Sequence, residues 1–339
     1  MWLTPASFRR ALALIAVATT LLACGLSSST STAPTPTLTT SPTGAAGGPT
    51  PTAPTLPTAT TPPGVPTPTP IPCPRGDKPF GVALHRATAG NSAGNYTIID
   101  VPDLFCQPTV ILRVTPNWNP PTRVGGVTGV YNNHPIGVFY ISAQKRWAIF
   151  NQDFASMPNG AAFNLAYGYE IADAPLCVHT ATAGSISANH TLVSCESGAD
   201  TATTRLIVTP NWNSPGTGVY VNHPLGVYHV GTNWSIFTQD KAAMPVNATF
   251  NVARGGPGFT HTATAGTITS NYTVLNHPAI NGKPSALLQV TPNWNPGGAA
   301  GVYNNHNIGV FYISSSSRWA IFNQDKVAMP PNAAFNVSY

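Results

Sequence analysis

Chemistry at a site needs groups that move protons, attack or bind metal, and this chain offers few. Its 339 residues hold only ten carboxylates. One acidic position recurs through the chain: Asp153, Asp240 and Asp325, each in a Gln-Asp dipeptide. Glycoside hydrolysis needs a pair of carboxylates at a set separation, and a single recurring Asp does not supply one. Histidine recurs at two positions, His85, His179 and His261 at the start of an "HTATAG"-like stretch, and His134, His223 and His306 after an asparagine. Two histidines and one Asp are the composition of a facial metal triad, although these lie far apart along the chain. The plainer expectation is a hydrogen-bonded histidine at a strand end and an Asp that caps one helical turn before Met-Pro. No Ser or Cys nucleophile stands at a shared position, so the chain reads as a non-enzyme without a cofactor.

The aromatic residues recur as well. Trp147, Trp234 and Trp319 sit in apolar "WAIF"-type runs and read as core. Trp118, Trp212 and Trp294 lie in "TPNWN", followed by Asn119, Asn213 and Asn295, among proline, asparagine and glycine. Such residues make turns. Two readings stand. The ring and its amides contact a ligand such as a sugar face, or the pentapeptide is a structural corner, which the turn chemistry favours. Tyr131, Tyr220 and Tyr303 follow in "GVY".

These residues sit in three copies of one unit. "HRATAGNSAGNYTII", "HTATAGSISANHTLV" and "HTATAGTITSNYTVL" open them, and the Pro of "TPNWN" follows each opening His by 31 residues (116−85, 210−179, 292−261). Then come "GVYNNHPIGVFYIS" and its counterparts, "RWAIFNQD" or "NWSIFTQD", and a closing "FNL" or "FNV". The apolar runs are short, β-branched and bounded by Pro or Gly, and none has a helical period. The expectation is all-β, with about six strands per unit in a small antiparallel sandwich or barrel. Repeats 73–167, 177–253 and 259–339 follow a stalk over 25–72 and a signal over 1–24. Whether the repeats pack or hang as beads is open.

The motif set resembles an uncharacterised β-rich repeat domain of secreted bacterial proteins, over residues 82–338. That resemblance implies a secreted repeat domain and no reaction.

The start of the chain bears on location. Arg9 and Arg10 precede "ALALIAVATTLL", short for a membrane span and suited to a signal peptide. It ends in Leu21-Leu22-Ala23-Cys24, which resembles a bacterial lipobox and implies that Cys24 carries acyl chains in the membrane. From Gly25 to Pro72 there is no charged and no aromatic residue. Such Thr/Pro-rich sequence reads as an extended stalk. Export permits disulfides, and one staple per repeat pairs Cys73 with Cys106 and Cys177 with Cys195, one of three connectivities open to four cysteines.

The formal charge is +5, and +3 without Arg9 and Arg10, with no basic cluster. Nucleic acid is therefore not an expected partner. The sequence reads as a lipid-anchored bacterial surface protein whose extracytoplasmic head binds without catalysis. Its partner would be a glycan or envelope polymer; the alternative is a structural or protein-interaction head without a small ligand, and behind both stands a metal-dependent enzyme.

Overall fold

The apolar runs bounded by proline and glycine become strands, and among the described residues none becomes an α-helix. The computed structural model describes residues 73, 79–120, 129–169, 176–195, 201–212 and 218–339. Cys24, the 25–72 stalk, the joint at 170–175 and Asn213 lie outside them. Repeat 1 contains β1 (Gly81–Arg86), β2 (Ser92–Ala93), β3 (Tyr96–Ile98), β4 (Ile111–Pro116), β5 (Ile136–Ile141), β6 (Arg146–Asn151) and β7 (Ala162–Gly168). They pair antiparallel in two sheets, ordered β1-β7-β4 and β2-β3-β6-β5.

Repeat 2 has the same order with β8 (Leu176–Thr180), β9 (Ile186–Ser187), β10 (His190–Leu192), β11 (Leu206–Pro210), β12 (Leu225–Val230), β13 (Asn233–Thr238) and β14 (Thr249–Arg254). Repeat 3 has β15 (Gly258–Thr262), β16 (Ile268–Thr269), β17 (Tyr272–Val274), β18 (Gln289–Pro292), β19 (Ile308–Ile313), β20 (Arg318–Asn323) and β21 (Ala334–Ser338). Five of the six strands per repeat are those the pattern marks; the first, expected on the "HTATAG" stretch, lies largely before it and ends at Arg86, Thr180 or Thr262, with the rest of the motif in a loop. The seventh is a two-residue strand paired with its neighbour across a tight turn.

The core of each repeat lies between its two sheets. In repeat 1, Leu112, Phe163 and Leu165 of one sheet meet Val138, Trp147 and Ile149 of the other. Trp147, Trp234 and Trp319 are buried. Their indole N–H groups donate to the carbonyls of Gln107, Thr201 and Lys283 at 2.8, 3.3 and 2.9 Å. A buried donor needs such a partner. Disulfides join Cys73 to Cys106 and Cys177 to Cys195, with Cα atoms 5.5 and 6.0 Å apart.

The repeats do not hang as beads. The Val114 N–H donates to Thr209 Oγ1 of repeat 2 at 2.9 Å. Val208 donates to Thr291 of repeat 3 at 3.0 Å, and Val290 to Thr115 of repeat 1 at 3.0 Å. The circuit closes. A second circuit runs through the buried amides of Asn164, Asn251 and Asn336, which donate to the carbonyls of Leu288, Leu112 and Leu206 at 3.0, 2.7 and 3.1 Å. Three copies of one head-to-tail contact thus form a ring with pseudo-threefold symmetry inside one chain.

Candidate functional site

"TPNWN" is the joint of that ring. Its first asparagine bridges in parallel to the neighbouring repeat: Asn117 to Val310, Asn211 to Val138, Asn293 to Val227. The next N–H, on Trp118, Trp212 or Trp294, donates to the same valine's carbonyl at 2.9, 2.8 and 2.9 Å. The second asparagine completes the pairing with its side chain. Asn119 accepts from the Tyr312 N–H at 2.9 Å and donates to the Tyr312 carbonyl at 3.0 Å. Asn295 does the same with His229, at 2.8 and 2.7 Å. An amide used on both sides in this way imitates a strand edge.

The indoles of Trp118, Trp212 and Trp294 pack on Gly129, Gly218 and Gly301. A Cβ at Gly301 would stand 1.4 Å from the Trp294 carbonyl oxygen, so only glycine fits. Across the joint the same rings meet Phe311, Phe139 and Tyr228 edge-to-face at 6.1, 6.4 and 6.1 Å. Their three indole N–H groups are buried without a hydrogen-bond partner.

A second clamp comes from the Gln of "NQD" and "TQD". Gln152 accepts from the Val221 N–H of repeat 2, Gln239 from Asn304 of repeat 3 and Gln324 from Asn132 of repeat 1, at 2.7, 2.9 and 2.9 Å. The recurrence of this Gln and of the Gly before "VY" was visible in the sequence. What either one bonds or packs against was not.

Each joint gathers five aromatic side chains. Between repeats 3 and 1 they are Trp118, Tyr131, Tyr272, Phe311 and Phe322. With Asn271 they line an open hollow of about 160 Å³. Between repeats 1 and 2 the set is Tyr96, Phe139, Phe150, Trp212 and Tyr220. Between repeats 2 and 3 it is His190, Tyr228, Phe237, Trp294 and Tyr303. The exposed rings are the tyrosines, Tyr131 at 37% and Tyr303 at 40%. Lys326 and Lys241 reach across the joint over these two rings at 4.8 and 4.9 Å, and Phe154 stands against Tyr220.

The structure parts the two recurring histidines. His85, His179 and His261 are buried, with Nε2 on the hydroxyls of Thr97, Thr191 and Thr273 at 2.9, 3.0 and 2.7 Å. Burial pushes all three pKa values from 6.5 down to about 4. His134, His223 and His306 instead hold Asp153, Asp240 and Asp325 through Nδ1, at 2.5 Å each. The metal set suggested by composition is therefore not gathered within a repeat. Among the described residues no group of three His, Cys, Asp or Glu side chains is placed to hold one ion.

The three Asp residues do not cap helical turns. The next residue, Phe154, Lys241 or Lys326, takes φ of 66, 65 and 66°, which turns the chain away from a helix. Each Asp Oδ1 accepts instead from the N–H two residues on, at 3.0, 3.0 and 3.1 Å, closing an Asx turn.

Over residues 76–167, 137–254 and 253–339 the sequence matches a family described as a domain of unknown function, DUF7452. The chain belongs to this family. No curated protein and no solved structure matches the chain. The DUF7452 repeats carry no assigned reaction, so function rests on the geometry of the ring.

Proposed function

We propose that this chain is a lipid-anchored bacterial surface protein whose DUF7452 ring binds a glycan or envelope polymer without catalysis. The hollow between repeats 3 and 1 carries the reading. Aromatic walls with an amide at the edge suit a sugar, whose ring faces are apolar and whose rim is polar. The same cluster at two further joints offers repeated weak contacts, which gain by effective concentration when one polymer spans them. Low net charge fits a neutral partner. The lipobox at Cys24 and the uncharged stalk support presentation away from a membrane. Ligand contact falls to Tyr131, Tyr220 and Tyr303, with the tryptophans behind them.

The test is pull-down of the full chain on insoluble polysaccharides and envelope fractions, beside a Tyr131→Ala/Tyr220→Ala/Tyr303→Ala variant with an intact unfolding transition. Binding by the parent and loss in the variant is expected. Equal binding by both overturns the aromatic clusters as the site. A parent that binds no polymer leaves the protein-interaction reading. Loss of labelled-palmitate incorporation in Cys24→Ser tests the anchor.

A further inference from the structure

The left-handed residue after each recurring Asp is Phe154, Lys241 or Lys326, with φ of 66, 65 and 66°. Glycine takes this conformation freely, and a residue with a Cβ is strained in it. The chain nevertheless keeps a large side chain there three times, and each is set against the tyrosine of the next repeat. Lys326 Nζ stands 4.8 Å from the centre of the Tyr131 ring, and Lys241 Nζ 4.9 Å from that of Tyr303. Phe154 stands 4.8 Å from Tyr220, its ring tilted by 50°. Strain that recurs at one position beside one aromatic cluster points to a use for the side chain.

These side chains make the joints unequal. Two carry a cation and one carries a phenyl ring. Neither ammonium has an ion pair or a hydrogen bond among the described residues. The acid beside each in sequence, Asp240 or Asp325, is held by His223 or His306. The three N–H groups of each lysine are therefore left for an acceptor from outside.

Between repeats 3 and 1, the lysine stands over Tyr131, which lines the aromatic hollow. Asn271 of the same hollow gives its amide N–H to the Asn323 carbonyl at 2.9 Å, which leaves its amide oxygen as an acceptor. A sugar on these rings would meet an acceptor for a hydroxyl and a cation for an acid. An ammonium is a compact point charge that pairs with carboxylate or phosphate oxygens. The low net charge of the chain bears on long-range attraction, whereas one acidic group at a joint is a direct contact.

We propose that Lys241 and Lys326 recognise an anionic group on the polymer, so that the ligand class is an acidic polysaccharide bearing carboxylate or phosphate, while the Phe154 joint takes a neutral sugar. This rests on the glycan reading of the aromatic joints.

Calorimetric titration of the full chain with polygalacturonate tests it, beside the methyl-esterified polymer, which keeps the sugar and masks the carboxylate. The expected result is affinity for the acid form higher by about tenfold or more, the worth of one charge-assisted hydrogen bond. Lys241→Met/Lys326→Met keeps an unbranched stem and should bring the ratio of the two affinities close to one. Phe154→Lys sets a third cation against Tyr220 and should raise the ratio, a gain that a purely structural role for the lysines would not produce. Phosphomannan bound more tightly than polygalacturonate, with the same loss in the methionine variant, would assign phosphate as the acidic group; the reverse order would assign carboxylate. Equal affinity for acid and ester, or a ratio unchanged in the methionine variant, overturns the proposal and leaves the glycan reading standing. Should that variant not fold, Phe154→Lys decides alone, and an unchanged ratio there overturns the proposal. Absence of binding to all three polymers overturns it as well; the glycan reading is then judged on the insoluble polysaccharides and the tyrosine variant.

Discussion

Acid should loosen this ring in a narrow window, because each repeat buries one neutral histidine. His85, His179 and His261 are 5%, 0% and 9% exposed, and burial holds each pKa at about 4 against 6.5 in the unfolded chain. Between those two pH values the unfolded chain binds a proton at each site and the folded chain does not. Stability therefore falls as pH drops from 6.5, and levels off below the folded value. Each histidine contributes a slope of about 1.4 kcal/mol per pH unit and about 3 kcal/mol in all. Three together approach ~10 kcal/mol, as large as the whole stability of an ordinary domain of about 5–15 kcal/mol. Urea unfolding at steps from pH 7 to pH 4.5 should show the midpoint falling progressively from about pH 6.5 downward. His179→Gln retains a donor for Thr191 and removes the titration, so it should reduce the pH slope by about a third. A midpoint that does not move with pH, or a slope untouched by His179→Gln, would refute the reasoning.

Repeat 2 carries Val221 and Thr238 where repeats 1 and 3 have the bonded pairs Asn132–Asn151 and Asn304–Asn323 at 2.8 Å. Asn151→Thr alone, which strands the Asn132 amide, should cost about 1–3 kcal/mol, and Asn132→Val/Asn151→Thr should regain most of it in a double-mutant cycle of denaturant midpoints. Gln324→Ala leaves the buried Asn132 N–H without its acceptor and should destabilise by about 1–3 kcal/mol, as should Gln152→Ala at the equivalent joint. Gly301→Ala meets Trp294 backbone at 1.4 Å, and its thermal midpoint should fall well below that of Gly282→Ala, where a Cβ meets nothing within 4 Å but the φ of 70° strains the backbone.

The all-β class and the threefold repetition were legible because both follow from local pattern: β-branched runs, proline and glycine boundaries, and one motif set written three times. Trp147 and its counterparts read as core for the same reason. The ring was not legible. Asn119 and Gln324 satisfy backbone groups of Tyr312 and Asn132, each more than 190 positions away, and no local pattern reports a partner so distant. "TPNWN" looked like a turn, but its Thr-Pro ends a strand and its first asparagine bridges to the neighbouring repeat, so only the residues after it bend. Its amides, which suggested ligand contact, pair with a neighbouring strand in repeats 1 and 3. Asp153 misled in a different way. An Asp before "FASMP" is the same short signal for a helical cap and an Asx turn, and the left-handed residue that follows decides between them. Within the repeat, His134 and Asp153 stand 19 residues apart and meet, whereas His85 is drawn to Thr97 by the buried side of β1.

The closed ring is the claim on which the aromatic joints depend, and amide hydrogen exchange on the full chain tests it most directly. The amides of Trp118, Trp212 and Trp294 have partners only across a joint, at Val310, Val138 and Val227. The ring predicts strong and similar protection at all three, including Trp118, whose partner lies 192 positions away (310−118). Fast exchange at Trp118 beside protected Trp212 and Trp294 would mean an open chain of repeats, and fast exchange at all three would mean independent beads.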